Sequence, residues 1–197
     1  PRHPDTVEVF ACDFGQAWDL NYDRWPDRWQ RVFGEGMPKY VEAGIVADEA
    51  APNGSRLTVK VNGGGAKLLS PCASVSEKFS YKVESLLDVR GLQHARVRLQ
   101  VEFCDEQKQV IETVDSPWRQ NTGGWVDCHI GPISPTDPRV QLARVAFIVE
   151  PGELTDLAGE ASLARVWLGR LPRMTIESNS AYNVYTNPSD VEVKCDL

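Results

Sequence analysis

Short β-prone segments recur at regular intervals from about residue 55 onward, and turn-forming residues separate them. Alternation is clearest over Arg96–Phe103, where apolar residues occupy one face of an extended strand and charged or amide residues occupy the other. The apolar face consists of Val97, Leu99, Val101 and Phe103. No segment of helical length keeps a 3.6-residue period. The pattern predicts an all-β fold of antiparallel strands, either a two-sheet sandwich or a barrel.

Two glycine-rich stretches, at residues 62–65 and 121–124, lie between these segments. Both are predicted to supply the positive-φ positions that tight connections between strands need. The first stretch, NGGGAK, has no helix after it and lacks the Lys-Ser/Thr ending of a phosphate-binding loop. A nucleotide site is therefore not expected.

The overall charge limits the classes of partner. The 197 residues carry a formal net charge of -7, with no block rich in lysine or arginine, so nucleic acid is not an expected partner. No apolar run approaches the ~20 residues of a membrane-spanning helix, and no membrane insertion is expected. The first residues lack the basic-then-apolar order of a signal peptide, although an earlier cleaved leader is compatible with the sequence.

The five cysteines are widely scattered and form neither a CxxC motif nor a zinc-binding pattern. Disulfide bonds in an exported protein and buried free thiols are both compatible with this spacing. The sequence favours buried thiols but leaves the pairing open.

Aromatic side chains cluster in two polar segments that are predicted to be loops. Tryptophan and tyrosine rings stack against the C–H face of a sugar, while neighbouring acids, amides and arginines bind its hydroxyl groups. The candidate ligand-binding residues are Tyr22, Asp23 and Trp25 in the first loop, and Trp118, Arg119 and Asn121 in the second.

Burial in the core is the alternative role for each tryptophan. Trp29 and Trp125 adjoin predicted strands, and we expect them to fill the ends of the core. Trp25 and Trp118 lie beside prolines in polar surroundings, so exposure and burial are both compatible with their sequence context.

No arrangement typical of a catalytic site is evident, and we expect no enzymatic activity. The histidines lack convincing partners, and Cys128 and His129 are adjacent in a predicted strand, which directs their side chains to opposite faces. A catalytic site assembled from residues distant in sequence would leave no local pattern of this kind.

The order of several segments resembles a carbohydrate-binding module of the family 4/9 type, a galactose-binding-like β-jelly roll. The segments include NYDRWPDRW, APNGSRLTVKVNGGG, CASVSEKFSYKVESLLDVRGL, ARVRLQVEFCDEQKQVIET, NTGGWVDCHIGPISP and ASLARVWLG. The resemblance implies a jelly-roll β-sandwich over residues 1–172, followed at 173–197 by a linker and the first strand of another domain. It also implies an extracytoplasmic location in a large bacterial multidomain protein.

Members of this family commonly hold a structural calcium ion between the first and last strands, and Asp13 matches the first acidic ligand. Arg165 stands where the resemblance places a second carboxylate, and its charge would repel a cation. The comparison therefore argues against calcium, and no other cofactor is expected. An ion pair between Arg165 and Asp13 is the alternative tie between the two strands.

The sequence thus supports a non-catalytic module that binds a glycan or polysaccharide within a longer chain. A structural or protein-interaction β-sandwich without sugar binding is the alternative. Exposure of Trp25 and Trp118 discriminates between the two hypotheses.

Overall fold

The computed structural model describes residues 6–173, 175–179, 187 and 191–196. Over these residues the chain forms antiparallel strands and a single 3₁₀ turn at Gln16–Trp18. The strands are β1 Val7–Cys12, β2 Gln30–Val32, β3 Glu42–Ala47, β4 Ser55–Lys60, β5 Ala66–Leu69, β6 Ala73–Ser74, β7 Ser80–Arg90, β8 Arg96–Cys104, β9 Val110–Asp115, β10 Val126–Ile133, β11 Leu142–Glu150, β12 Glu160–Leu171, β13 Thr175–Ser178 and β14 Val193–Asp196.

Two six-stranded sheets pack face to face within the described residues. The first sheet has the order β10-β7-β12-β4-β3, with β1 also paired to β12. The second sheet has the order β2-β5-β11-β8-β9, with β6 also paired to β11. This arrangement confirms the all-β, two-sheet antiparallel sandwich.

The apolar residues predicted to face the core do so. Val97, Leu99, Val101 and Phe103 of β8 are fully buried between the sheets. The other face of β8 departs from the expected half-exposed pattern, because Gln100 and Glu102 are also buried. Glu102 contacts Lys67 of β5 and Arg144 of β11, so neighbouring strands cover this polar face.

The glycines at 63–65 have two different roles. Only Gly63 has the expected left-handed conformation, with φ of +102°. Gly65 permits a close approach between chain segments, since a Cβ there would lie 2.2 Å from the carbonyl oxygen of Val149. In the second stretch, Gly123 and Gly124 have the expected positive φ values.

Beyond the sandwich, β13 pairs with β14 in a separate two-stranded sheet. Residues 174, 180–186, 188–190 and 197 of the tail lie outside the described residues. The assignment of 173–197 to a linker and a following domain therefore remains a prediction.

Cys12, Cys72, Cys104 and Cys128 are free thiols, and all but Cys72 are buried. Burial raises the pKa of Cys12 to about 12 and that of Cys104 to about 11. These thiols act as small hydrophobic side chains, the role that the sequence favoured. The side chain of Cys195 lies outside the described structure.

We expect a short pulse of iodoacetamide at about pH 8 to modify Cys72 about 100-fold faster than Cys12 or Cys104, because the thiolate is the reactive form. Peptide mass spectrometry measures the modification at each position. The same pulse in denaturant serves as the control and should modify all three equally. Equal labelling of native Cys104 and Cys72 would contradict the burial of Cys104.

Candidate functional site

The aromatic segment at 21–29 belongs to the loop between β1 and β2, and aspartates hold its backbone in place. Asp19 accepts hydrogen bonds from the backbone N–H groups of Asp23 and Arg24, at 3.0 and 3.1 Å. Asp23 accepts one from the backbone N–H of Trp25 at 2.7 Å. These carboxylates stabilise a tight turn, which explains why charged residues alternate with the aromatic rings.

Four non-glycine residues of this loop have a left-handed backbone. Phe14, Tyr22, Arg24 and Arg28 have φ values between 59° and 66°. Such residues cost free energy and persist only where the surroundings fix them, and they are concentrated at functional sites. Their clustering in one loop marks that loop as a candidate for function.

The loop lies directly against β3. The carbonyl of Arg24 accepts a hydrogen bond from the backbone N–H of Ile45 at 2.6 Å. A Cβ at Gly44 would lie 2.8 Å from that same carbonyl oxygen, so glycine permits the contact. Gly44 was not among the sequence candidates, because its only signal is a lone glycine within a β-prone run.

A groove of about 580 Å³ opens between this loop, the β2–β3 loop and the outer edge of the first sheet. Its volume falls within the usual range for small-ligand sites. It combines aromatic rings with charged side chains and a β-strand floor. The groove is lined by Asp23, Arg24, Trp25, Arg31, Lys39, Tyr40, Val41, Glu42, Ala43, Gly44, Ile45, Val46, Thr58 and Lys60.

Trp25 is half-buried and fixed in position. Its indole Nε1 donates a hydrogen bond to the carbonyl of Trp29 at 3.0 Å, and the ring packs against the core. Trp29 is buried, as expected, with its ring centroid 5.4 Å from that of Phe14. The ring of Trp25 is therefore held rigidly at the groove.

Tyr40 supplies a second ring to the groove, and it was not among the sequence candidates. Its side chain is 59% exposed, and its hydroxyl donates a hydrogen bond to the carbonyl of Gly63 at 3.3 Å. The available signal was a tyrosine two residues after a proline in a short polar connection. Tyr22 is 81% exposed in the same loop as Trp25 but does not line the groove.

The second predicted cluster lies at the opposite edges of the sheets. The guanidinium carbons of Arg96 and Arg98, on β8, lie 4.3 and 4.2 Å from the ring centroid of half-buried Trp118. Exposed Arg119 forms a backbone bridge with Val97. Since β8 and β9 end the second sheet on one side and β2 ends it on the other, the fold separates Trp118 from the groove.

Asn121 has a structural role in this region. Its side-chain Nδ2 donates to the carbonyl of Leu92 at 2.6 Å, and its Oδ1 accepts from the backbone N–H of Leu92 at 3.2 Å. Both ends of the amide are thus engaged by the turn between β7 and β8. Trp125, which precedes β10 and was expected to fill the end of the core, is only half-buried and is not part of the core cluster of the described residues.

Asp13 and Arg165 line a common cavity of about 350 Å³, but the expected ion pair between them is absent from the described residues. Asp13 instead accepts hydrogen bonds from the backbone N–H of Gly15 and from Asn53 Nδ2, at 3.1 and 3.3 Å. Arg165 lies 3.7 Å from Asp127. Arg165 on β12 and Asp127 on β10 are both paired with Leu86 of β7, and this register brings Arg165 and Asp127 together.

Among the described residues, no group of three or more His, Cys, Asp or Glu side chains is placed to hold a metal ion. Calcium binding at Asp13 stays a hypothesis from the family resemblance. Cys128 is buried and His129 is exposed, which confirms that these adjacent side chains point to opposite faces. No described helix is long and apolar enough to cross a membrane.

No protein-family model matches the sequence, and no curated protein matches it. Solved structures do resemble the fold. The enzymatically active domain of tailspike protein 4 from bacteriophage CBA120 has a TM-score of 0.60 and 13% identity, and the match covers 84% of this chain but 22% of the tailspike chain.

Two carbohydrate-binding modules also share the fold over nearly their whole length. The CBM22-2 xylan-binding domain of Xyn10C from Paenibacillus barcinonensis has a TM-score of 0.54 and 11% identity, covering 83% of this chain and 99% of its own. TmCBM61, solved with beta-1,4-galactotriose, has a TM-score of 0.53 and 8% identity, covering 84% and 99%. At these identities the likeness establishes the β-sandwich fold, while the family 4/9 type remains a prediction.

Proposed function

We propose that this protein is a non-catalytic carbohydrate-binding module whose site is the groove containing Trp25 and Tyr40. The observation that carries the proposal is the half-buried ring of Trp25, fixed by its hydrogen bond to Trp29 and lining an open groove. A ring that is already ordered loses little conformational entropy when a ligand stacks on it. The left-handed residues of its loop are consistent with a conformation maintained for binding.

The polar part of the groove suits hydroxyl-rich ligands. Asp23 and Glu42 offer acceptors, while Arg24 and Lys60 offer donors in the same groove. A saccharide would stack a C–H face on Trp25 or Tyr40 and exchange hydrogen bonds with these groups. Two of the structural neighbours, one a xylan-binding domain and one solved with galactotriose, support this ligand class.

The other predicted residues lie outside the groove. Tyr22 extends the aromatic surface of the same loop from outside the groove. Trp118, Arg119 and Asn121 define a separate position, where the Trp118 ring already contacts two arginines and the Asn121 amide is occupied. We therefore place the main site at the groove.

A protein-interaction domain is the second candidate function, because the loop between β11 and β12 exposes two leucines. Leu154 and Leu157 are 64% and 79% exposed. Exposed apolar side chains that lie close together are typical of contact surfaces. Either function is compatible with an extracytoplasmic multidomain protein, the setting that we propose from the family resemblance.

Replacing Trp25 with alanine is expected to weaken binding to a responsive polysaccharide by about 10-fold or more, the loss typical of a central aromatic contact. A glycan array identifies the ligand, and isothermal titration measures the dissociation constant. Trp118→Ala is the matched control and should bind like the wild type.

Because Trp25 also packs against the core, Tyr40→Ala provides a second test at a more exposed ring. Circular dichroism should show a native fold for each variant. Failure of the wild type to bind any polysaccharide would contradict the proposal, as would equal losses in Trp25→Ala and Trp118→Ala.

A further inference from the structure

The groove has the opposite charge to the protein as a whole. Its lining contains the four cations Arg24, Arg31, Lys39 and Lys60 but only the two carboxylates Asp23 and Glu42, in a chain of net charge -7. Charge of one sign concentrated in a concave site attracts ligands of the other sign. The groove is thus a local positive region on an acidic protein.

The two acids of the groove already have partners. Glu42 Oε2 lies 3.0 Å from Lys60 Nζ across β3 and β4, so this pair contributes no net charge. Asp23 accepts hydrogen bonds from the backbone N–H of Trp25 and from Asn21 Nδ2, at 2.7 and 2.9 Å. Within the described residues, Arg24, Arg31 and Lys39 have no ion-pair partner, although the sequence contains 28 acidic residues.

Arg31 and Lys39 converge on one aromatic ring. The Arg31 guanidinium carbon lies 5.1 Å from the ring centroid of Phe33, and Lys39 Nζ lies 5.7 Å from the same centroid. Two cations at one ring repel each other, and the ring compensates only in part. An anion bound near both cations would relieve this repulsion.

Arg31 is also partly removed from water. Its Nη2 donates a hydrogen bond to the carbonyl of Pro38 at 2.9 Å, while its buried Nε has no hydrogen-bond partner within the described residues. Burial lowers the pKa of Arg31. Keeping a guanidinium partly desolvated and without a carboxylate costs free energy in the unliganded protein, and an anionic ligand would recover part of it.

We propose that the groove binds an anionic polysaccharide, one bearing uronate carboxylates or sulfate esters, with Arg24, Arg31 and Lys39 as the groups that select for charge. This inference rests on the proposed glycan-binding function and adds the ligand class. Trp25 and Tyr40 stack on the sugar rings, and the cations bind the acidic substituents. The negative charge of the rest of the protein repels a polyanion overall, which favours binding at the groove.

Polygalacturonate and its carboxyl-reduced counterpart provide a test in which the polymers differ only at the acidic group. Dextran sulfate and dextran form the corresponding pair for sulfate esters. We expect the wild type to bind at least one anionic polymer about 10-fold more tightly than its neutral partner, by isothermal titration. Raising the salt from about 20 mM to about 500 mM NaCl should weaken that binding about 10-fold and leave any neutral binding unchanged.

The double variant Arg24→Gln, Lys39→Gln removes two exposed groove cations and should weaken binding of the anionic polymer about 5-fold or more. Lys78→Gln, at an exposed lysine outside the groove, is the control for the loss of one positive charge and should bind like the wild type. Trp25→Ala should weaken the same binding, since the rings and the cations share one site.

The outcomes separate this inference from the proposed function. Equal binding of charged and neutral polymers, with loss in Trp25→Ala, would leave the glycan site standing and overturn the selection for charge. Binding of the anionic polymer with equal effects of the groove variants and Lys78→Gln would also overturn it, as nonspecific attraction. Absence of binding to any polysaccharide would overturn both.

Discussion

Replacing Glu102 with alanine should lower the free energy of unfolding by about 3–5 kcal/mol, the usual cost of removing one partner from a buried ion pair. Glu102 is 2% exposed on the outer face of the second sheet. Its Oε1 lies 2.5 Å from Lys67 Nζ, and its Oε2 lies 2.6 Å from Arg144 Nε. The variant would leave two poorly solvated cations close together without a carboxylate.

Denaturant unfolding near neutral pH, followed by circular dichroism, measures this change. Glu106→Ala is the matched control, because Glu106 lies exposed in the hairpin that follows the same strand. Its free energy of unfolding should stay within about 0.5 kcal/mol of the wild type. A loss below about 1 kcal/mol in Glu102→Ala would show that the triad is solvated and that Glu102 is not buried.

Glu102 also gives the fold a defined sensitivity to acid. Burial alone would raise the pKa of Glu102, but the hydrogen bonds and charges of Lys67 and Arg144 outweigh it and hold the pKa below the ordinary 4.5. Its contribution is therefore full above about pH 4.5 and is lost as the pH falls through the lowered folded-state value. In Glu102→Gln, the decline in stability below this pH should be shallower than in the wild type.

Replacing Asp156 with alanine should cost about 2–4 kcal/mol, because three backbone donors would lose their acceptor. The buried Asp156 carboxylate accepts hydrogen bonds from the N–H groups of Gln93, His94 and Ala95, at distances between 2.7 and 3.2 Å. Although burial acts to raise the pKa of Asp156, these backbone hydrogen bonds lower it overall. The carboxylate thus holds the turn between β7 and β8 from a distant part of the chain.

Thermal and denaturant unfolding measure the effect of Asp156→Ala. Glu153→Ala, an exposed acid in the same loop, is the control and should leave stability nearly unchanged. Asp156→Asn keeps an acceptor oxygen, so its loss should be smaller than that of the alanine variant. Equal stability of the Asp156 and Glu153 variants would contradict the hydrogen-bonding role.

The alternation of apolar and polar residues along β8 shows which features of the fold a local sequence pattern can predict. It correctly predicted that Val97 and Leu99 face the core, because neighbouring side chains of a strand alternate regardless of what lies beside it. It could not predict that Glu102 is buried on the other face, since its cationic partners come from two other strands. Burial of a polar face depends on which strands lie next to one another.

The candidate site likewise has residues that the sequence predicted and residues that only the tertiary structure brings together. The position of Trp29 beside a predicted strand correctly marked it as a core residue, and the composition of the first loop selected two residues that line the groove, Asp23 and Trp25. It missed Tyr40 and Gly44, which reach the groove from a different loop and strand. It also grouped Trp118 with Trp25, although the sheet order places them at opposite edges.

The sequence by itself determined the all-β class, the core face of β8 and the aromatic character of the first loop, because these follow from spacing within single segments. Only the tertiary structure decided which loops meet and which charges are paired. β12 lies between β7 and β4, and β11 lies between β5 and β8, so adjacent strands are far apart in the chain. The Glu102 ion pairs depend on this long-range pairing, and the groove depends on how two loops pack against β3 and β4. Neither leaves a mark in a local pattern.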